Sequence, residues 1–203
     1  ARILDTQYSL LDTLLYLCPM TIYDKVFEKV NSLGEGTRFE ECRFVNCDFS
    51  YAKLNNMLFI DCEFEQCNLS LANTAETGMQ GVVFRDCKLM GIDFGKCRTL
   101  GFQVSFLRCN MESTGFHKCK LKGTDFVSCI LKGTDFAETD LTNANFDNCD
   151  LDGAIFDRTN LKGADLRTAY NFIINPEANP IKKARFSAHG LSGLLTQYGI
   201  IVE

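Results

Sequence analysis

Residues 134–168 read TDFAE-TDLTN-ANFDN-CDLDG-AIFDR-TNLKG-ADLRT, seven pentads in a row. The third place of each is Phe or Leu: Phe136, Leu141, Phe146, Leu151, Phe156, Leu161 and Leu166. The first is small: Thr134, Thr139, Ala144, Cys149, Ala154, Thr159 and Ala164. A period of five matches neither the 3.6 of a helix nor the 2 of a strand, so the stretch is a structural repeat.

The frame extends backward through Leu131, Phe126, Leu121, Phe116 and Met111 to Phe106. A second run in the same frame occupies Phe39, Phe44, Phe49, Leu54, Phe59, Phe64, Leu69, Thr74, Met79, Phe84, Leu89, Phe94 and Thr99. Between Thr99 and Phe106 the count slips by two residues, which predicts a bulge or widened corner within Leu100 to Ser105.

Five residues make one short extended side and a corner. Stacked coils then satisfy the backbone of each side from the coil above and below. The alternation of Phe with Leu requires an even number of sides. Four sides set residues twenty apart above one another, so that Phe116, Phe136 and Phe156 form one column and Phe44, Phe64 and Phe84 another. The expected fold is therefore all-β, a four-sided parallel β-helix of six or seven coils, about 30 Å long. Its centre and small residues point inward and the other three positions meet water. Gly123, Gly133, Gly153 and Gly163 share one frame position and read as corners.

Three segments result. Residues 1–36 form an N-terminal cap or edge segment. Leu4, Leu11 and Leu15 suit an amphipathic helix there, and Tyr23 to Val30 alternates like an edge strand. Residues 37–168 form the repeat. Residues 169–203 make an excursion from the last coil, a short helix over Ser187 to Tyr198 ended by Gly199, and a strand from Ile200 to Val202. The apolar residues of that end, Leu191, Leu194, Leu195, Tyr198, Ile200 and Ile201, fit a monomeric cap and a dimerisation surface equally.

Composition narrows the function. The net charge of −5 disfavours direct nucleic-acid binding through a basic face. No apolar run reaches the roughly 20 residues a membrane span needs. Ten of eleven cysteines lie on the small position, where they read as reduced, buried thiols of a cytoplasmic protein. Cys42, Cys47, Cys62 and Cys67 stack near one corner and are the set to weigh as a metal site, but inward thiols would have to ionise in a packed core; no metal and no cofactor is expected. His117 and His189 are the only neutral-pH acid–base groups and read as surface residues, so no enzyme is expected.

Stacking by twenty sets nine opposite charges side by side: Arg43 with Glu63, Glu65 with Arg85, Glu76 with Lys96, Lys132 with Glu112 and Asp152, Glu138 with Lys118 and Arg158, Lys120 with Asp140, and Asp147 with Arg167. The acids left over, Glu41, Asp61, Asp125, Asp150, Asp157 and Asp165, are the candidate acidic binding surface.

The pentads above, closest at Thr134-Asp135-Phe136, Ala144-Asn145-Phe146 and Ala164-Asp165-Leu166, resemble the pentapeptide-repeat family, whose consensus is Ala, Asp or Asn, Leu or Phe, then two variable residues. The resemblance implies a right-handed quadrilateral β-helix. The family's best-known members are bacterial quinolone-resistance proteins. Likeness to them implies a DNA mimic that occupies the DNA-binding surface of DNA gyrase or topoisomerase IV, as a homodimer joined through the C-terminal segment. A structural or adaptor rod with another protein partner is the alternative.

Overall fold

In the computed structural model, which describes residues 20–200, the chain climbs as a square coil. On the first side β1 (Thr21–Tyr23), β3 (Arg38–Glu40), β5 (Leu58–Ile60) and β7 (Gly78–Gln80) form one parallel sheet. The second side holds a nine-stranded parallel sheet. It runs through β2 (Val26–Glu28), β4 (Arg43–Val45), β6 (Glu63–Glu65), β8 (Val82–Arg85), β9 (Val104–Leu107), β10 (Asp125–Val127), β11 (Asn145–Asp147), β12 (Asp165–Leu166) and β13 (Arg185–Phe186). Single bridges carry the other two sides. One series climbs Asp48, Asn68, Lys88, Asn110, Ile130, Asp150 and Tyr170, and another climbs Asp93, Gly115, Asp135 and Ile155.

The register is the one the pentads predict: Phe44 pairs with Phe64, Phe64 with Phe84, and Phe126 with Phe146. At the slip Phe84 pairs with Phe106, twenty-two residues on. The two additional residues are absorbed by a turn from Thr99 to Phe102, with the Gly101 φ at 73°. The nine strands span about 38 Å at roughly 4.8 Å each. The rod is longer than six or seven coils because strands form outside the repeat at both ends. Tyr23 to Val30 is correspondingly two strands on two sides, not one edge strand, since the chain turns at Asp24 with φ of 48°.

Every centre from Phe39 to Leu166 is buried, apart from Thr99 within the slip. Seven rings, Phe27, Phe44, Phe64, Phe84, Phe106, Phe126 and Phe146, stack in one column with centroids 4.6–5.4 Å apart, unbroken by the slip. Phe94, Phe116, Phe136 and Phe156 stack in a second column and meet the first edge-on. Offset stacking within a column and edge contact between columns are the two arrangements that the ring quadrupole favours.

The small position has a polar duty as well. Thr77, Thr134 and Thr139 donate their hydroxyls to the carbonyls of Leu54, Met111 and Phe116 one coil below. Cys67, Cys87 and Cys149 do the same with S–H to Phe44, Phe64 and Phe126. Small residues fit the corner, and those with a donor satisfy a buried carbonyl.

At the C-terminal end one side of the last coil is replaced by the loop 172–179. The buried Asn179 side chain stands in for the missing backbone. Its Oδ1 accepts the Thr159 N–H at 2.8 Å, and its Nδ2 donates to the Phe156 and Asn175 carbonyls. The cap that follows is not one helix from Ser187 to Tyr198. A 3-10 turn over Ala188–Gly190, α1 (Ser192–Leu195) and a second 3-10 turn over Thr196–Tyr198 share that stretch, and Gly199 ends it at φ 62°. Gly193 lies hard against Phe172, where a Cβ would meet the backbone oxygen at 2.2 Å, so the segment follows the coil it covers. Leu4, Leu11, Leu15, Ile201 and Val202 lie outside the described residues.

Candidate interaction surface

Three positions per pentad face outward: the residue before the centre, the one after it, and the corner residue beyond. The corner adopts positive φ at almost every turn, with Gly at 123, 133, 153 and 163 and non-glycine residues such as Glu41, Tyr51 and Lys118 elsewhere. Side chains on these positions form vertical ladders about 4.8 Å apart, within reach of ion pairing.

Three of the nine expected neighbours are direct ion pairs: Arg43 with Glu63 at 3.4 Å, and Glu138 with Lys118 at 3.7 Å and Arg158 at 3.2 Å. Four of the remaining cations choose other carboxylates: Arg85 binds Glu63, Lys132 takes Asp150 at 3.3 Å, Lys96 takes Asp93 at 3.1 Å, and Arg167 takes Asp165 at 2.7 Å. Asp140, expected to meet Lys120, is taken by Lys122 at 3.3 Å. The reason is reach. A long side chain spans the rung diagonally or turns back to a carboxylate two or three residues away as readily as it points straight up. Asp86 and Arg108, one coil apart only because of the slip, form a two-pronged bond at 2.6 and 2.7 Å; counting by twenty misses it.

The six candidate acids do not converge. Glu41 and Asp61 stack on the corner between the first and second sides. Asp125 and Asp165 belong to the second side, Asp150 to the third and Asp157 to the fourth. Asp150 is nearly buried; desolvation raises its carboxyl, but hydrogen bonds from Asn171 and the Asp152 N–H, with Lys132, hold it below the usual range. Arg167 holds Asp165 down as well, with Arg185 3.6 Å away. Asp157 meets Arg158 at 3.3 Å. Among the described residues, only Glu41, Asp61 and Asp125 of the six lack a cation within ion-pair distance.

Of the C-terminal candidates, Leu194 packs inward on the core, while Leu191, Tyr198 and Ile200 are exposed. Leu195 is half-buried. The Tyr198 hydroxyl donates to Glu177 at 2.8 Å, tying the cap to the loop.

Inside, the thiols are sealed. Cys47, Cys67, Cys87, Cys109, Cys129 and Cys149 form one column, while Cys42 and Cys62 share the adjacent corner, so the four cysteines weighed for metal belong to two columns. No group of three or more metal-ligating side chains is arranged around a common point among the described residues. Burial pushes Cys62, Cys97 and Cys119 up to about 12, which keeps them protonated and unreactive at neutral pH. A cleft of about 630 Å³ between the last coil and the cap is lined by Arg167, Tyr170, Asn171, Ser187, His189 and Thr196. Both His117 and His189 are exposed. No helix among the described residues is long and apolar enough to cross a membrane.

A family model described as a pentapeptide repeat region matches residues 37–102 and 101–169. The chain belongs to the pentapeptide-repeat family. No curated protein matches its sequence. Among solved structures, a trypsin-treated form of QnrB1, described as a plasmid-mediated fluoroquinolone resistance protein, is similar at 21% identity and a TM-score of 0.47, covering 91% of this chain and 98% of that one. HetL, a pentapeptide repeat protein involved in heterocyst differentiation regulation from the cyanobacterium Nostoc sp. strain PCC 7120, is similar at 13% identity and a TM-score of 0.43, covering 87% and 92%.

Proposed function

We propose that this pentapeptide-repeat chain is a non-enzymatic, protein-binding rod of the structural or adaptor kind, working in the cytoplasm. The observation that carries the reading is the disposition of outward charge. Most strand-borne carboxylates are met by a cation on their own or a neighbouring coil, which leaves a mosaic of short-range pairs. Surface pairs of this kind add little stability each, but they define a pattern that a protein partner can complement. The packed core, in which burial keeps the thiols of Cys62, Cys97 and Cys119 protonated, supports a non-catalytic role. Ten free, buried cysteines favour a reducing compartment.

DNA mimicry on gyrase or topoisomerase IV is the competing reading. A duplex presents one negative charge per ~1.7 Å, or about 22 along a 38 Å rod. Here 12 of the 23 carboxylates among the described residues lack a cation in ion-pair reach, and they are divided among the four sides and never form one continuous row. The test is a DNA gyrase supercoiling assay with and without ciprofloxacin. The adaptor reading expects neither inhibition nor protection at micromolar protein; dose-dependent protection would overturn it in favour of mimicry.

A further inference from the structure

The first side and its corner with the second side carry a charge pattern that the ion-pair ladders do not absorb. Climbing that corner, the positive-φ positions are Asp24, Glu41, Asp61, Gly81, Gly101, Gly123, Asn143, Gly163 and Lys183. Their stacking is fixed by backbone bonds: Asp24 N–H to Glu40, Glu41 to Ile60, Asp61 to Gln80, Gly123 to Thr142, Asn143 to Lys162 and Gly163 to Lys182. The lower end thus holds three exposed carboxylates, Asp24, Glu41 and Asp61, with no cation in ion-pair reach among the described residues. The upper half of the same face holds Lys120, Lys162, Lys182 and Lys183, exposed and equally without a carboxylate. Nearby Arg38 and Lys122 are already paired with Glu40 and Asp140, whereas Lys25 beside Asp24 and Arg98 on the flat of the side are exposed and outside the ion pairs.

Between the two ends the corner is glycine except at Asn143, a neutral side chain. On the flat of the side at the slip, Leu100 is 87% exposed, the most exposed large apolar side chain of the described chain. It lies midway along the rod. With eight rises of about 4.8 Å, Asp24 and Lys183 sit about 38 Å apart.

We infer that this face pairs with the same face of a second copy, the two rods lying side by side and antiparallel. A two-fold axis through the level of Leu100 sets the acidic lower corner of each rod against the lysine-bearing upper corner of the other, and brings the two Leu100 side chains together. The contact is self-complementary, as a two-fold interface must be. The same rods side by side in parallel would oppose like charges at both ends, which complementary potentials exclude. The pairing is independent of any other protein the rod binds, and it uses a different surface from the C-terminal cap.

The test is sedimentation equilibrium of the full chain at low and high salt. Dimers are expected at about 50 mM NaCl, with dissociation constants at least ~tenfold weaker at about 500 mM, where the Debye length is only a few Å. Two triple variants sharpen it: Asp24→Lys/Glu41→Lys/Asp61→Lys turns the lower corner basic, and Lys162→Glu/Lys182→Glu/Lys183→Glu turns the upper corner acidic. Each alone is expected to be monomeric, and an equimolar mixture to form a heterodimer. Circular dichroism checks that both fold; Leu100→Asp, on an exposed turn tip, is the single substitution that should also yield monomer. A wild-type monomer at both salt concentrations would overturn the inference. So would a dimer indifferent to the triple variants but lost on Leu191→Asp/Ile200→Asp, which would place the interface at the cap, or a mixture that stays monomeric.

Discussion

Phe126→Ala removes a ring at the crossing of the two aromatic columns. Phe126 is fully buried, stacks on Phe106 and Phe146 at 5.3 and 5.0 Å, and meets Phe116 and Phe136 edge-on at 6.0 and 5.9 Å. Loss of a buried Phe costs about 3–5 kcal/mol through transfer and cavity terms. Each aromatic pair adds roughly 0.5–1.5 kcal/mol, so this site belongs at the upper end. Phe156 is the control: it ends its column with one ring neighbour, Phe136 at 5.4 Å, and is 9% exposed. Phe156→Ala should therefore cost less than Phe126→Ala by about 1.5 kcal/mol or more. Urea unfolding followed by circular dichroism gives both values, and a changed slope would reveal that one end of the solenoid has uncoupled. Equal losses at the two sites would refute the reasoning that the columns, not burial alone, set the energetics.

Asn179→Ala leaves the Thr159 N–H and the Phe156 carbonyl without partners and should destabilise by about 2–4 kcal/mol, measured in the same urea assay. Gly123→Ala, at φ 65° with nothing within 4 Å of its added Cβ, should cost about 1 kcal/mol; Gly193→Ala should cost more, since its Cβ would lie 2.2 Å from the Phe172 backbone oxygen, and equal effects would count against the close approach. In a native thiol titration with Ellman's reagent, the ten described cysteines should stay silent until denaturant is added, leaving at most Cys18 to react; several fast thiols would contradict the sealed columns. Asp86 is held below the ordinary carboxylate range by the Arg108 hydrogen bond, and Asp165 by Arg167. Depressed native values mean stability that is present above the unfolded pKa of about 3.9 and lost as pH falls through the lower native value. The melting temperature should accordingly hold from pH 7 to 5 and fall below about 4, less steeply in Asp86→Asn.

The five-residue period of residues 134–168 was enough to read the sides, the inward faces and the aromatic columns, because each depends on one repeating choice of residue at one position. The two-residue slip was equally legible, as a break in that count. Arg85 and Lys132 show where counting stops. Which carboxylate a flexible side chain prefers depends on diagonal reach, not on the column. Asp150 looked like a surface acid by position, yet Asn171 closes over it from the excursion, where no repeat exists to extrapolate, and Lys132 reaches it diagonally from the coil below. Asn179 was invisible for the same reason: its task arises only because a coil ends there. The charge reversal from Asp24 to Lys183 could have been read from the corner positions alone, had their ladder been followed from end to end.

The coils stack in register through the slip, and sulfur reports that stacking directly. A long-wavelength anomalous difference map of a crystal should show Cys47, Cys67, Cys87, Cys109, Cys129 and Cys149 as six peaks in a single row, about 4.8 Å apart, with no gap between Cys87 and Cys109. Peaks split into two rows at that point, or scattered around the rod, would contradict it.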